Sequence, residues 1–171
     1  GAWTPSILID QKFSITNAGY ISSIFTLISL ISLILITSLF PKNKRKEAMI
    51  YILLLCGVAS LGIAFLTGYK LVFSLLIVTV FKIALMPLST LILMEHKEIG
   101  PKKIGTAAGM FFASAEIGGF GGPFIIGLLR EITNSHQIGF ILSSILCFIG
   151  IVFAFNLDNS DKHEISRAIK K

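Results

Sequence analysis

The chain has 171 residues, 54% of them hydrophobic and 14% charged, with a mean hydropathy of +0.84. A soluble domain is about 45–50% apolar and about 25% charged, so this composition argues against a water-exposed globule and for a lipid-embedded one. The formal charge of +6 is gathered between apolar runs rather than along a face, which argues against a nucleic-acid partner.

In chain order, residues 1–19 read as an external segment. "WTPSILI" has the character of the outer end of a preceding helix, and "DQKFSITNAGYISS" that of a loop entering the first full span. A chain that starts at Gly1 is read here as part of a longer one. Five apolar runs follow, at residues 20–40, 48–67, 71–94, 104–129 and 138–156. Each is long enough to cross a hydrocarbon core of about 30 Å at about 1.5 Å per residue. The fold class expected is therefore all-α: a polytopic bundle of five membrane helices over residues 20–157, followed by a basic tail at 158–171.

In the first run, Ser22, Thr26 and Ser29 share one helical face. They either contact protein or water, or bond back to their own backbone. Pro41 ends this run. The second run, of Leu, Ile, Val and Ala with Gly57, Gly62 and Gly68, reads as an outer, lipid-facing helix, as does the fifth. Cys56 and Cys147 lie inside runs and read as small apolar packing residues. His96, His136 and His163 lie far apart and read as solvated, with no metal spacing.

The third run carries Lys82 near its centre and Pro87 just beyond it. Pro87 should kink the helix by removing a backbone hydrogen bond. At 100° per residue, Thr79, Lys82, Met86 and Ser89 fall on one side. A Lys at the centre of a span costs roughly 2.5–3.5 kcal/mol on insertion scales, so it should face a cavity or another helix. Snorkelling is disfavoured, because either end is about 16 Å away. A structural ion pair and a functional cavity charge both stay open.

The fourth run holds "SAEIGGFGGP". Gly105, Gly109, Ala113, Glu116, Gly119, Pro123 and Gly127 lie within about 60° of one direction. Small residues let helices approach closely in lipid. The seam reads either as tight static packing or as a surface that slides or bends, since Gly119, Gly122 and Pro123 weaken the helix just past Glu116. Glu116 is also near mid-depth, about 18 Å from the start of its run.

Basic residues set membrane orientation. With five spans, the first and third connections and the tail fall on one side, and they hold eleven Lys and Arg residues. The other side holds Lys12, Lys70 and Arg130. The bias places the basic side in the cytoplasm and the start of this segment outside, in the cell membrane.

The segment "EHKEIGPKKIGTAAGMFFASAEIGGFGGPFIIGLLREIT" resembles the tenth-to-eleventh helix region of major facilitator superfamily transporters. The features are Glu95, Pro101, Gly105-Thr106-Ala107-Ala108-Gly109 and Gly121-Gly122-Pro123. "WTPSILIDQKFSITNAGYISSIFTLISL" resembles the end of the seventh helix and the eighth. Within the superfamily the likeness leans toward cyanate-type, nitrate-type or other organic-anion permeases. The loop after the eighth helix commonly carries a D-R-x-G-R-R-like motif there; here "FPKNKRKEA" keeps only its basic charge.

The resemblance implies helices eight to twelve of a twelve-helix carrier that works with a preceding N-terminal half. It implies a small anionic solute moved by alternating access, with proton coupling as one form. Lys82, with Thr79 and Ser89, would line the cavity, and Glu116 would be an ion-pair partner or proton carrier. Gly105, Gly109, Gly119, Gly122, Pro123 and Pro87 would serve packing or bending. No enzyme activity, cofactor or metal is expected. The rival reading is a non-transporting membrane subunit that uses the Gly seam for docking.

Overall fold

The computed structural model describes residues 3–41, 44–95, 99 and 103–169, with side chains as far as residue 155. Among the described residues every regular element is a helix: α1 (Thr4–Asp10), α2 (Ile15–Leu39), α3 (Arg45–Phe65), α4 (Gly68–Lys82), α5 (Leu85–Glu95), α6 (Ile104–Thr133) and α7 (Gln137–Ile169). Among the described residues five spans are long and apolar enough to cross a membrane: α2, α3, the combined stretch Gly68–Glu95, α6, and Gln137–Phe155 of α7.

Local chemistry sets the ends. Ser14 caps α2, its Oγ accepting from the Asn17 N–H at 3.2 Å. The first span thus begins at Ile15, and only residues 11–14 separate it from α1. Phe40, held extended before Pro41, closes α2. Asn134, in the left-handed region at φ 51°, ends α6 and turns the chain into α7. Pro87 has no N–H to meet the Ile83 carbonyl one turn back, and the ladder breaks there. α4 stops at Lys82, the Ala84 N–H reaches only to the Phe81 carbonyl at 3.2 Å, and α5 starts at Leu85.

Two apolar clusters hold the bundle. Near the α1 end, Ile7, Leu8, Ala18, Phe25, Ile63, Leu71 and Leu75 are buried together. Toward the basic end, Ile36, Ile52, Cys56, Ala84 and Leu88 form the second, with Cys147 packed against it. Fully buried Ala84 fills the helix break with a side chain small enough for close approach.

α3 is the centre of the packing, not an outer helix as composition suggested. It is the most buried of the spans and packs most extensively on α7 and α4. Its small residues Gly57, Ala59, Ser60, Gly62 and Ala64 permit this. Ser144 Oγ of α7 donates to the Gly57 carbonyl at 2.9 Å in a buried site, while one strip, with Tyr51, Leu55, Val58 and Phe65, remains exposed. The α2 hydroxyls take the own-backbone alternative: Ser22, Thr26 and Ser29 donate to the carbonyls of Ala18, Ser22 and Thr26 at 2.7, 2.9 and 2.7 Å.

Candidate functional site

The polar stripe of the third span lies across the α4–α5 break. Lys82 is the last residue of α4, where the C-terminal carbonyls favour a cation. At about 1.5 Å per residue it stands about 21 Å from the Gly68 end of the span and about 20 Å from the Glu95 end. Its side chain is exposed, as is Met86, and Thr79 and Ser89 are half-buried. Thr79 Oγ1 donates to the Leu75 carbonyl and Ser89 Oγ to the Leu85 carbonyl, each at 2.8 Å. Cys56 and Cys147, both free thiols, lie close by.

α6 runs unbroken from Ile104 to Thr133, through Pro123, and none of its residues is buried. Glu116 is exposed, and no ion pair joins it to Lys82. A Cβ built on Gly105, Gly109, Gly118, Gly119, Gly121 or Gly122 meets nothing within 4 Å. Of these, Gly105, Gly109 and Gly119 belong to the seam, which is therefore bare along most of its length. Only its C-terminal end is occupied: a Cβ on Gly127 would sit 3.3 Å from the Trp3 ring.

That end of α6 carries a constellation the sequence reading passed over. Arg130 Nη2 donates to Asp10 Oδ1 and Oδ2, both at 3.2 Å, and its guanidinium lies 5.9 Å from the centre of the Trp3 ring. His136 Nε2 stands 2.7 Å from Asp10 Oδ2, and the ring meets Trp3 edge-on at 6.1 Å. Far from being solvated, the His136 side chain is only 12% exposed. Its Nδ1 and the Trp3 Nε1 are buried without partners. Burial of the ring, and after it the charge of Arg130, push His136 below its ordinary value of 6.5, against the pull of Asp10. Nearby, the Gly68 N–H donates to Gln11 Oε1 at 3.3 Å.

These groups border a cavity of about 780 Å³, lined also by Ile63, Thr67, Glu131 and Asn134. Lys82, Thr79, Ser89 and Glu116 do not line it. The sequence did hold a signal for this cluster. Alternation of the spans puts residues 10, 130 and 136 at one end, where Asp10 and Arg130 are opposite charges on a face poor in charge. At the other end Arg45 pairs with Glu95, tying the start of α3 to the end of α5. Pro101, Lys97 and Lys102 lie outside the described residues, as does His96.

No family model, curated protein or solved structure matched the chain. Three features of the geometry stand out: a charged helix break at mid-depth, a bare glycine face, and a half-exposed Asp10–Arg130 ion pair that borders a cavity beside a mostly buried imidazole. Among the described residues no group of three or more His, Cys, Asp or Glu could hold a metal ion.

Proposed function

We propose that the chain supplies five helices of a secondary transporter of the major facilitator type, corresponding to helices eight to twelve, that moves a small anionic solute across the cell membrane. The observation that carries this reading is the interruption of a membrane helix beside its one central lysine. Irregular backbone at membrane depth is tolerated where it lines a cavity or is buried in protein. Discontinuous helices of this kind form solute sites near the midplane of carriers.

In this reading Lys82 attracts the anion, and Thr79 and Ser89 flank it. The Lys82 face and the bare α6 seam are the surfaces toward which the N-terminal half of the carrier packs. Glu116 reaches its ion partner or its proton there. Pro87 and the Gly119–Pro123 stretch supply bending. The basic ends face the cytoplasm, consistent with Lys44, Arg45 and Lys46 at the end opposite Asp10 and Lys12.

The test is uptake of radiolabelled nitrate, cyanate and short carboxylates by proteoliposomes holding the intact protein. Lys82→Ala is expected to abolish uptake while leaving membrane abundance unchanged, and Lys82→Arg to fail as well, since a planar fork does not reproduce a point charge. Loss of folded protein in Lys82→Ala, restored by Glu116→Ala, would instead make the two residues a structural pair. The bare seam equally suits a non-transporting subunit of a membrane complex, and absence of uptake for every anion would favour that reading. Orientation is tested separately, with Cys56 and Cys147 replaced. A cysteine at exposed Lys12 should react with an impermeant thiol reagent on intact cells, and one at exposed Lys44 should not.

A further inference from the structure

The cluster at the outer end joins pieces of chain far apart in sequence. Asp10 is the last residue of α1, Arg130 lies in the last turn of α6, and His136 sits in the turn into α7. Trp3, at the other end of α1, packs over Gly127 and touches both Arg130 and His136. The Asp10 carboxylate and the Trp3 indole thus tie α1 to the α6–α7 turn, in addition to the buried apolar contacts of Ile7 and Leu8. Those same residues border the 780 Å³ cavity.

We propose that His136 is a proton-binding site that latches α1 across this cavity, and that taking up a proton releases the latch. The charged groups that act on the ring are few. Asp10 faces it from α1 and Arg130 from α6, while Glu131 shares the cavity wall; α7 contributes only neutral Gln137. A neutral ring that keeps its one proton on Nε2, toward Asp10, lies beside Trp3 and Arg130 with only an acceptor, Nδ1, left unpaired. A protonated ring sets a second positive charge against Arg130 and leaves an Nδ1–H buried with no acceptor. One carboxylate then serves two cations.

The sign follows from linkage. With its folded value below 6.5, His136 holds fewer protons in the latched arrangement than when released. The latch is fully formed above about pH 6.5 and is lost as pH falls through the folded value. If the chain is a carrier oriented as proposed, acid outside would open the outer mouth. That purpose rests on the proposed function, whereas the latch itself is tested without transport.

Trp3 is the one tryptophan of these 171 residues, so with any tryptophan outside them replaced by phenylalanine its fluorescence reports the latch directly. The experiment is acrylamide quenching of the intact protein in lipid nanodiscs. Between about pH 8 and about pH 5, where an imidazole titrates, the wild-type quenching constant is expected to rise with a midpoint below 6.5. The rise should reach the quenching level of the released Asp10→Asn variant at the acid end, as expected when a local closure opens. His136→Gln should stay flat. Asp10→Asn, which keeps the histidine but loses the carboxylate charge, should be readily quenched at both ends of the range. A pH-independent wild type, a fall in quenching on acidification, or an unchanged titration in His136→Gln or Asp10→Asn would each overturn the latch. Failure of uptake with an intact quenching titration would overturn the carrier reading and leave the latch standing.

Discussion

α3 and α6 are both apolar, glycine-bearing spans, and the structure uses their glycines in opposite ways. In α3, Gly57 faces α7 so closely that a Cβ would stand 3.3 Å from Cys147 Cβ and 3.4 Å from the Phe148 ring. Gly62 likewise faces Ser74 of α4, whose Cβ would be 3.2 Å away. In α6 six glycines face open space. A helix-interior glycine costs up to about 1 kcal/mol relative to alanine. In α3 close packing offsets that cost. In α6 nothing within the described chain does, which is the physical reason to read its face as one that another helix approaches. Glycine content in a membrane helix therefore marks permission for contact, and only the neighbours show where contact is made.

The largest effect should separate these two roles. Gly57→Leu forces a branched side chain into the α3–α7 contact, where overpacking costs about 1–3 kcal/mol. We expect a lower thermal midpoint for the purified protein in detergent and loss of the monodisperse peak. Gly119→Leu adds the same side chain to the bare face. Its thermal midpoint should fall less than that of Gly57→Leu, because a Cβ there meets nothing within 4 Å in the described chain, while assembly with the helices proposed to dock there, and uptake, should be lost. Equal destabilisation by both substitutions would erase the distinction between the spans.

The contrast also shows how far the sequence could be read. Hydrophobic length located all five spans, because the requirement is one-dimensional: enough apolar residues in a row. Pro87 marked the break for a similarly local reason, a missing N–H. Position within the bundle was not local. Plain composition made α3 look peripheral, yet Gly57, Ser60 and Gly62 placed it at the centre by letting α4 and α7 come close. His136 was misread for the same reason. Within "TNSHQ" it has every mark of a solvated turn residue, and its burial depends on Trp3 and Asp10, more than a hundred residues earlier. The hydroxyls of α2 left two options open: all three bond back to their own helix, and Ser29 is also buried against the bundle.

A smaller effect probes the α3–α7 contact without changing its shape. Ser144→Ala removes the donor to the Gly57 carbonyl. Hydrogen bonds between membrane helices average about 0.6 kcal/mol by double-mutant cycles, with a maximum of about 1.7. The expected loss is near that average, because the Gly57 carbonyl lies inside α3 and keeps its place in the helical ladder. A thermal shift as large as that of Gly57→Leu would mean that the hydroxyl, rather than close packing, holds α7 to α3.

The smallest effect on folding should come from the one charge on the bare face. Glu116 is exposed and has no ion partner among the described residues, so Glu116→Gln removes no contact that the fold depends on. A charge at the centre of a span also carries an insertion penalty of about 2.5–3.5 kcal/mol for lysine, arginine or aspartate. The neutral amide should be no harder to insert, and membrane abundance should hold or rise. If the carrier reading is right, the cost of keeping a carboxylate at that depth is offset by function. The mutant should then exchange solute for solute across proteoliposomes but lose acceleration by an inward proton gradient, since an amide cannot carry the proton. Gradient-driven accumulation that survives in Glu116→Gln would remove the proton from the mechanism. Glu116 would then be a residue for pairing with Lys82 or with the docking helices. A fall in abundance would show a contact made only in the membrane, and the contrast between a used α3 and an open α6 would have to be redrawn at that residue.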